Sequence, residues 1–232
     1  SLDERIRTTY AARSDANNKN ALYDSYIRAI RWASDRIGNA GIIGFVTNAG
    51  FVEANTADGL RKCLVDEFSS LYVFHLRGNQ RTSGETSRKE GGKIFGSGSR
   101  APIAISLLVK NPEAEAHGQI HFHDIGDYLS REEKLEKIVS YASVAGIPDW
   151  QHVVPDEHGD WLKQRDNSFG QCIVLGDKDD KSALALFANY SSGVKSQRDA
   201  WAYNAGKSKL ATNMTSMIGF YNAEVTRFDA TH

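Results

Sequence analysis

The chain has 232 residues, with 28 lysines and arginines against 29 aspartates and glutamates, so its net charge of −1 excludes a histone-like mass of positive charge and leaves polyanion binding to local basic patches. At 41% hydrophobic and 25% charged residues it has the composition of a folded globular protein rather than a disordered one. No apolar stretch approaches the roughly 18–20 residues that span a bilayer, and two cysteines, Cys63 and Cys172, exclude a disulfide framework or a four-thiolate zinc site. The expectation is a cytoplasmic protein without membrane association. Its start at Ser1-Leu2, with no initiator methionine, reads as a piece of a longer chain.

The first strong element is a helix from about 21 to 37. Leu22, Tyr23, Tyr26, Ile27, Ile30, Ala33 and Ile37 recur at three- and four-residue spacing, Asn20 is placed to cap the start, and Gly38 closes the end. Gly41 to Thr47 is a continuous apolar run that does not alternate, which predicts a strand buried on both faces. A helix starting at Asn55 or Thr56 carries Leu60, Leu64 and Phe68, and a second strand spans 71–76. Residues 77–101 hold six glycines and read as a long loop. Strands follow at 103–109 and 120–125. Ser130 to Glu133 is a capping-box signature for a helix with Leu135, Ile138, Val139 and Ala142 on one face. Beyond Gly146 the elements shorten, with a strand expected at 171–175 and helices near 182–188 and 208–220. The division falls near 145: residues 1–145 form one unit and 146–232 a smaller α+β region.

Two stretches carry chemistry. The segment 77–100 sets Arg77, Arg81, Arg88, Lys89, Lys93 and Arg100 against Glu85 and Glu90, a net +4. Glycines there admit close backbone approach and the Ser and Thr hydroxyls add donors, a combination suited to phosphate contact as well as to a solvated surface loop. Gly193, Lys195, Ser196 and Arg198 form a second basic turn ahead of the aromatics Trp201 and Tyr203. Gly96 to Arg100 is not a nucleotide loop, because it precedes a strand instead of opening a helix. His117, His121 and His123 read as a polar strand face; no metal site is expected. On residues alone the chain is an α/β fragment that binds a ligand or nucleic acid.

The order of these pieces resembles the second half of an amino-methylating DNA methyltransferase in which target recognition follows the catalytic core. Asn20-Ala21-Leu22-Tyr23 resembles the opening of the helix that follows that family's Asn-Pro-Pro-Tyr loop, and Ile94-Phe95 resembles its hydrophobic-Phe pair before a strand. Arg77 to Arg81 and Glu90 to Arg100 are similar to the methyltransferase region of type ISP enzymes, the single-polypeptide helicase–methyltransferase restriction–modification group. Ser192 to Asn204 is similar to the opening of their recognition region.

The resemblance implies a partial Rossmann-like sheet, parallel except for an antiparallel last strand, with 103–109 lying between 42–47 and 71–76. It implies S-adenosyl-L-methionine (AdoMet) as cofactor of the parent enzyme, N6 methylation of adenine, and double-stranded DNA as partner, together with the rest of the parent polypeptide: the upstream methyltransferase half and the helicase and nuclease regions. It implies a base pocket walled by Tyr23, Asp24 and Asn48, with Phe95 or Trp161 stacking on the extruded base. DNA contacts are expected from Arg77, Arg81, Arg88, Lys89, Lys93, Arg100, Lys195, Ser196 and Arg198. No Asn-Pro-Pro-Tyr or AdoMet loop occurs in the chain, so it is expected to be inactive alone. Against this stand a non-catalytic DNA-binding or scaffolding module, and an unrelated α/β enzyme.

Overall fold

The computed structural model describes every residue except Ser97, Ser192, Val194 and His232. The chain divides into two compact units, Ser1–Asp166 and Asn167–His232.

In chain order the first unit holds α1 (Leu2–Thr8), α2 (Tyr10–Arg13), α3 (Ser25–Ser34), β1 (Gly41–Asn48), α4 (Gly50–Glu53), α5 (Asp58–Glu67), β2 (Ser70–Arg77), α6 (Gly84–Glu90), β3 (Ile103–Lys110), β4 (Gln119–Asp124), α7 (Arg131–Tyr141) and β5 (Gln151–Val153). The strands form one sheet in the order β1-β3-β2-β4-β5. β3 runs antiparallel to both neighbours, β4 is parallel to β2, and β5 is antiparallel to β4. The expected insertion of 103–109 between the two earlier strands is therefore present, with Val46 opposite Ile105 and Phe74 opposite the same residue on the other side.

Strand alternation sorts the core into two layers. Leu71, Val73, Ala104, Leu108, Ile120 and Phe122 face the helical layer, where Ile6, Tyr10, Leu22, Ile27, Ile30, Leu60 and Leu64 close over them. Phe74, Leu76, Ile103 and Ile125 belong to a second cluster with Ile94, against which Ile138, Tyr141 and Trp150 pack. Each fully buried Leu or Phe contributes roughly 1.5–3 kcal/mol. α7 begins with the expected capping box, the Ser130 hydroxyl accepting from Glu133 N–H and the Glu133 carboxylate from Ser130 N–H.

Four expectations are corrected. β1 is not buried on both faces: Ile42 is 69% and Val46 55% exposed on this edge strand of the sheet. The helix expected at 21–37 is broken at Asp24, whose extended backbone (φ −60°, ψ 145°) separates a 3-10 turn, Asn20–Tyr23, from α3. The loop at 77–101 contains α6, a polar helix with no buried residue and so no apolar stripe to betray it. Positions 182–188 hold turns and an isolated bridge, Val174 to Ala185, where a helix was expected.

The expected division near 145 lies inside the first unit. Residues 146–166 pack on the core through β5 and through Asp160, which pairs with Arg61 of α5. The second unit holds α8 (Asp199–Ala202) and the long α9 (Lys207–Asp229). Among the described residues no helix is long and apolar enough to cross a membrane.

Candidate nucleic-acid interface

Because β3 is antiparallel to both neighbours, β1, β2 and β4 point the same way and end together at Asn48, Arg77 and Asp124. Carboxyl ends of this kind are where open α/β sheets place ligands. A cleft of about 330 Å³ opens there, between Val52, Glu53, Leu162 and Lys163 on one side and Asn79, Thr86, Lys89 and Glu90 of the basic segment on the other, with His75, Arg77, Phe122 and Asp124 also lining it.

Asp124 is the hub of its charge network. Its carboxylate accepts from Arg77 Nε at 2.7 Å and Gly126 N–H at 2.8 Å, and lies 3.4 Å from His75 Nδ1. Burial alone would raise this carboxyl, but the hydrogen bonds from His75 and Gly126 and the charge of Arg77 outweigh it and hold the carboxyl down at about 2. Arg77 also pairs with Asp127 and donates to the Lys89 carbonyl. Its two carboxylate partners make it a tie between the end of β2 and the 124–127 turn, not a free cation. A positive φ of 56° at Arg77 and a register shift between His75 and Arg77 turn the chain out of the sheet here.

The other cations of the segment are more available. Arg81 is exposed. Arg88 lies on the surface of α6 and pairs with Glu85 one turn earlier at 2.7 Å. Lys89 is half exposed with Asp127 at 3.8 Å, Lys93 is half-buried, and Arg100 is exposed and donates to the Gln80 carbonyl at 3.1 Å. Exposed ion pairs of this kind are weak enough to exchange for phosphate. Phe95 presents a ring that is 49% exposed beside buried Ile94.

The residues expected around a base are distributed unevenly. Asn48 sits opposite Ile103, where the basic segment rejoins the sheet, and its Oδ1 accepts from Gly50 N–H at 2.8 Å. Tyr23 packs partly against the helical core, and Asp24 is exposed at the start of α3. Trp161 is corrected: it is 3% exposed, with its ring edge-on to Phe51 at 6.2 Å between centroids, so it is a core residue with no face free for stacking. Of the two aromatics, the structure leaves Phe95 accessible.

In the second unit, the Ser196 hydroxyl donates to the Asp199 carboxylate and accepts from Arg198 N–H at 3.1 Å, forming the turn that leads into α8. Lys195 and Arg198 are exposed, as are Trp201 and Tyr203.

Sequence reasoning missed the buried charges that hold this architecture. Arg61 is fully buried on α5 and donates to the carbonyls of Gly159 (2.8 Å), Phe51 (2.9 Å) and Ala54 (2.7 Å) besides pairing with Asp160. Lys134 of α7 is also fully buried. Among the described residues no group of three or more His, Cys, Asp or Glu side chains is arranged to hold a metal.

Comparison with known proteins places this geometry. Residues 185–232 match the family model of the Type ISP C-terminal specificity domain. The whole chain is similar to the structure of a nuclease-deletion mutant of the Type ISP restriction–modification enzyme LlaGI in complex with a DNA substrate mimic: 46% identity, TM-score 0.83, covering 97% of this chain and 18% of that one. It is similar to the ATP-dependent Type ISP restriction–modification enzyme LlaBIII bound to DNA (41% identity, TM-score 0.85, 96% of this chain and 14% of that one). The DrdV–DNA complex matches at 33% identity and TM-score 0.82, over 96% of this chain and 22% of that one. No curated protein matches the chain. The chain is therefore the counterpart of one segment of Type ISP restriction–modification enzymes, and it spans less than a quarter of the length of each of these relatives.

Proposed function

We propose that this chain is the distal half of the catalytic sheet of an AdoMet-dependent adenine-N6 DNA methyltransferase of restriction–modification type, followed by the start of its target-recognition region. The observation that carries the proposal is the strand order. An antiparallel β3 sits between the parallel β1 and β2, and β1 lies at the edge of the sheet with Ile42 and Val46 bare beside it. That edge fits continuation of the sheet by the upstream half of the core, which would bring the Asn-Pro-Pro-Tyr loop.

In this reading Asn48, Tyr23 and Asp24 form part of the wall near the base pocket, and Phe95 stacks on the extruded adenine. Arg81, Arg88, Lys89, Lys93, Arg100, Lys195 and Arg198 meet phosphates of double-stranded DNA. The solved relatives are DNA complexes, which supports this partner. AdoMet does not fit the residues present. The turn after β1 is closed by Asn48 capping Gly50, and the helix behind it has four residues, so no glycine-rich strand-to-helix turn exists there to cradle a cofactor. The cofactor loop, like the helicase and nuclease regions, belongs to the remainder of the parent polypeptide.

The test is DNA binding by the polypeptide that carries these residues. Replacing Arg81, Arg88 and Lys89 together with Ala should weaken binding by about tenfold or more and flatten the dependence of log K on log salt by about 2–3, roughly 0.9 for each phosphate no longer neutralised. Fold stability should move by no more than about 0.5 kcal/mol. Unchanged affinity and slope would contradict the assignment of the segment.

A further inference from the structure

Lys134 is a lysine with no access to water, placed where the basic segment meets α7. Its Nζ donates to the carbonyls of Glu90 and Gly92, each at 2.7 Å. Glu90 is the last residue of α6, so this ammonium sits on the carbonyl end of that helix, where a cation satisfies orphan acceptors and opposes the helix dipole. Burial pushes the Lys134 ammonium down to about 8, against the opposing charges of Glu90 and Asp124 and with that of Arg77, so at neutral pH it remains charged.

The backbone around it is tightly packed. Gly91 has φ +64°, and a Cβ there would lie 2.1 Å from the Leu129 carbonyl oxygen; a Cβ on Gly92 would lie 2.4 Å from Arg131 N. Gly92 N–H donates to Leu129 O at 2.9 Å, Tyr128 N–H to Lys89 O at 3.1 Å, and Arg131 Nε to Ile94 O at 2.8 Å. Two glycines and a buried lysine thus clamp the end of α6 to the start of α7. Arg88 and Lys89 occupy the last turn of α6, immediately before the clamped carbonyl.

We infer that Lys134 is a positioning residue for DNA binding: by holding the carbonyls of Glu90 and Gly92 it fixes the end of α6, and so presents Arg88 and Lys89 as a preformed pair of phosphate-binding cations. The inference rests on the proposed DNA-binding role of the segment. Removing the ammonium takes its donor from the Gly92 carbonyl and leaves the Glu90 carbonyl with Gly78 N–H, 3.1 Å away, and the hydrogen-bonded seam between 89–94 and 128–131 loses its centre.

The experiment measures Kd for a DNA duplex at several salt concentrations with the polypeptide carrying these residues, in four forms: unmodified, Lys134→Met, the Arg81, Arg88, Lys89→Ala triple variant, and both combined. Trypsin cleavage after Arg81, Arg88 and Lys89 is followed in the unmodified protein and in Lys134→Met. Lys134→Met is expected to lower affinity about tenfold with a flatter salt slope, to add nothing in the triple background, and to speed cleavage severalfold. Lys134→Gln, which removes the charge but keeps an N–H donor, takes its place if the methionine variant does not fold, with a smaller loss of affinity expected and again none in the triple background. If the triple variant weakens binding but the Lys134 substitution leaves Kd unchanged, or its loss adds in full to that of the triple, the positioning role is overturned while the DNA-binding role stands. If the triple variant itself binds normally, the DNA-binding role fails, and the positioning role with it.

Discussion

Replacing Asp160 with Asn removes the carboxylate facing Arg61 while leaving the guanidinium enclosed. The two side chains are 0% and 2% exposed, so no water can take the place of the lost charge. Burial already holds the Arg61 guanidinium below its ordinary value against the opposing charge of Asp160, which marks the site as one where an unpaired cation is costly. Breaking one half of a buried pair costs about 3–5 kcal/mol. Arg61 keeps its three carbonyl acceptors at Gly159, Phe51 and Ala54, which places Asp160→Asn toward the lower end. Arg61→Met should cost more, because it leaves those three carbonyls without that donor and leaves Asp160 with only the Arg165 side chain, 2.7 Å away, of its two guanidinium partners. Urea unfolding followed by tryptophan fluorescence suits the test, since Trp161 adjoins the pair. With m-values of about 1–3 kcal/mol/M, a 3 kcal/mol loss lowers the midpoint by about 1–3 M. A cost below about 1 kcal/mol for Asp160→Asn, or a smaller cost for Arg61→Met than for Asp160→Asn, would refute the reasoning.

Two further predictions concern pH. His121 lies directly across from His152 on β4 and β5, with its ring stacked on Tyr72 at 4.5 Å, and burial, followed by the charge of His152, holds it below its usual value. The unfolded chain therefore binds this proton more tightly, so stability is complete above about pH 6.5 and is lost as pH falls through the folded value; His152→Gln should shallow that loss in urea titrations between about pH 5 and 7.5. Asp124, held at about 2, contributes stability that is present above its unfolded value of about 3.9 and lost as pH falls toward 2. Asp124→Asn should remove about 2 kcal/mol at neutral pH and flatten the acid limb, and a limb unchanged by the substitution would count against the network described at the strand ends.

The strands were legible as short runs rich in Ile, Leu, Val and Phe, continuous at 42–47 and alternating with polar residues at 120–125: 42–47, 71–76, 103–109 and 120–125 became β1 to β4 with boundaries moved by a residue or two. Their order was legible only through the resemblance, since periodicity does not say which strand pairs with which. Shorter elements escaped. α1 offers a single buried residue, Ile6, and α6 offers none, so neither shows an apolar stripe, while β5 is three residues long and packs on the core through Val153. The buried Arg61, Asp160 and Lys134 were invisible because charged residues are ordinarily solvated, and it is the carbonyls converging on Arg61 and Lys134, and the guanidiniums of Arg61 and Arg165 on Asp160, that make their burial tolerable. Trp161 misled for the opposite reason: it stands among glycines and charges in sequence, and its packing on Phe51 joins positions far apart in the chain. In the candidate site, residue type alone did not distinguish Arg77, spent on Asp124 and Asp127, from Arg81 and Arg88, which face solvent.

In the proposed function these residues complete a DNA adenine methyltransferase whose acceptor and cofactor loops lie elsewhere in the polypeptide. Methyl transfer from labelled AdoMet to DNA, with the product identified as N6-methyladenine, tests it most directly in three preparations: the parent polypeptide, the parent with Phe95→Ala, and residues 1–232 alone. Transfer by the parent is expected, with a fall of about fivefold or more with Phe95→Ala as base stacking worth about 1–3 kcal/mol is lost, and none by residues 1–232 alone. Transfer by residues 1–232 alone, or a parent that binds DNA and AdoMet yet leaves adenine unmodified, would contradict it.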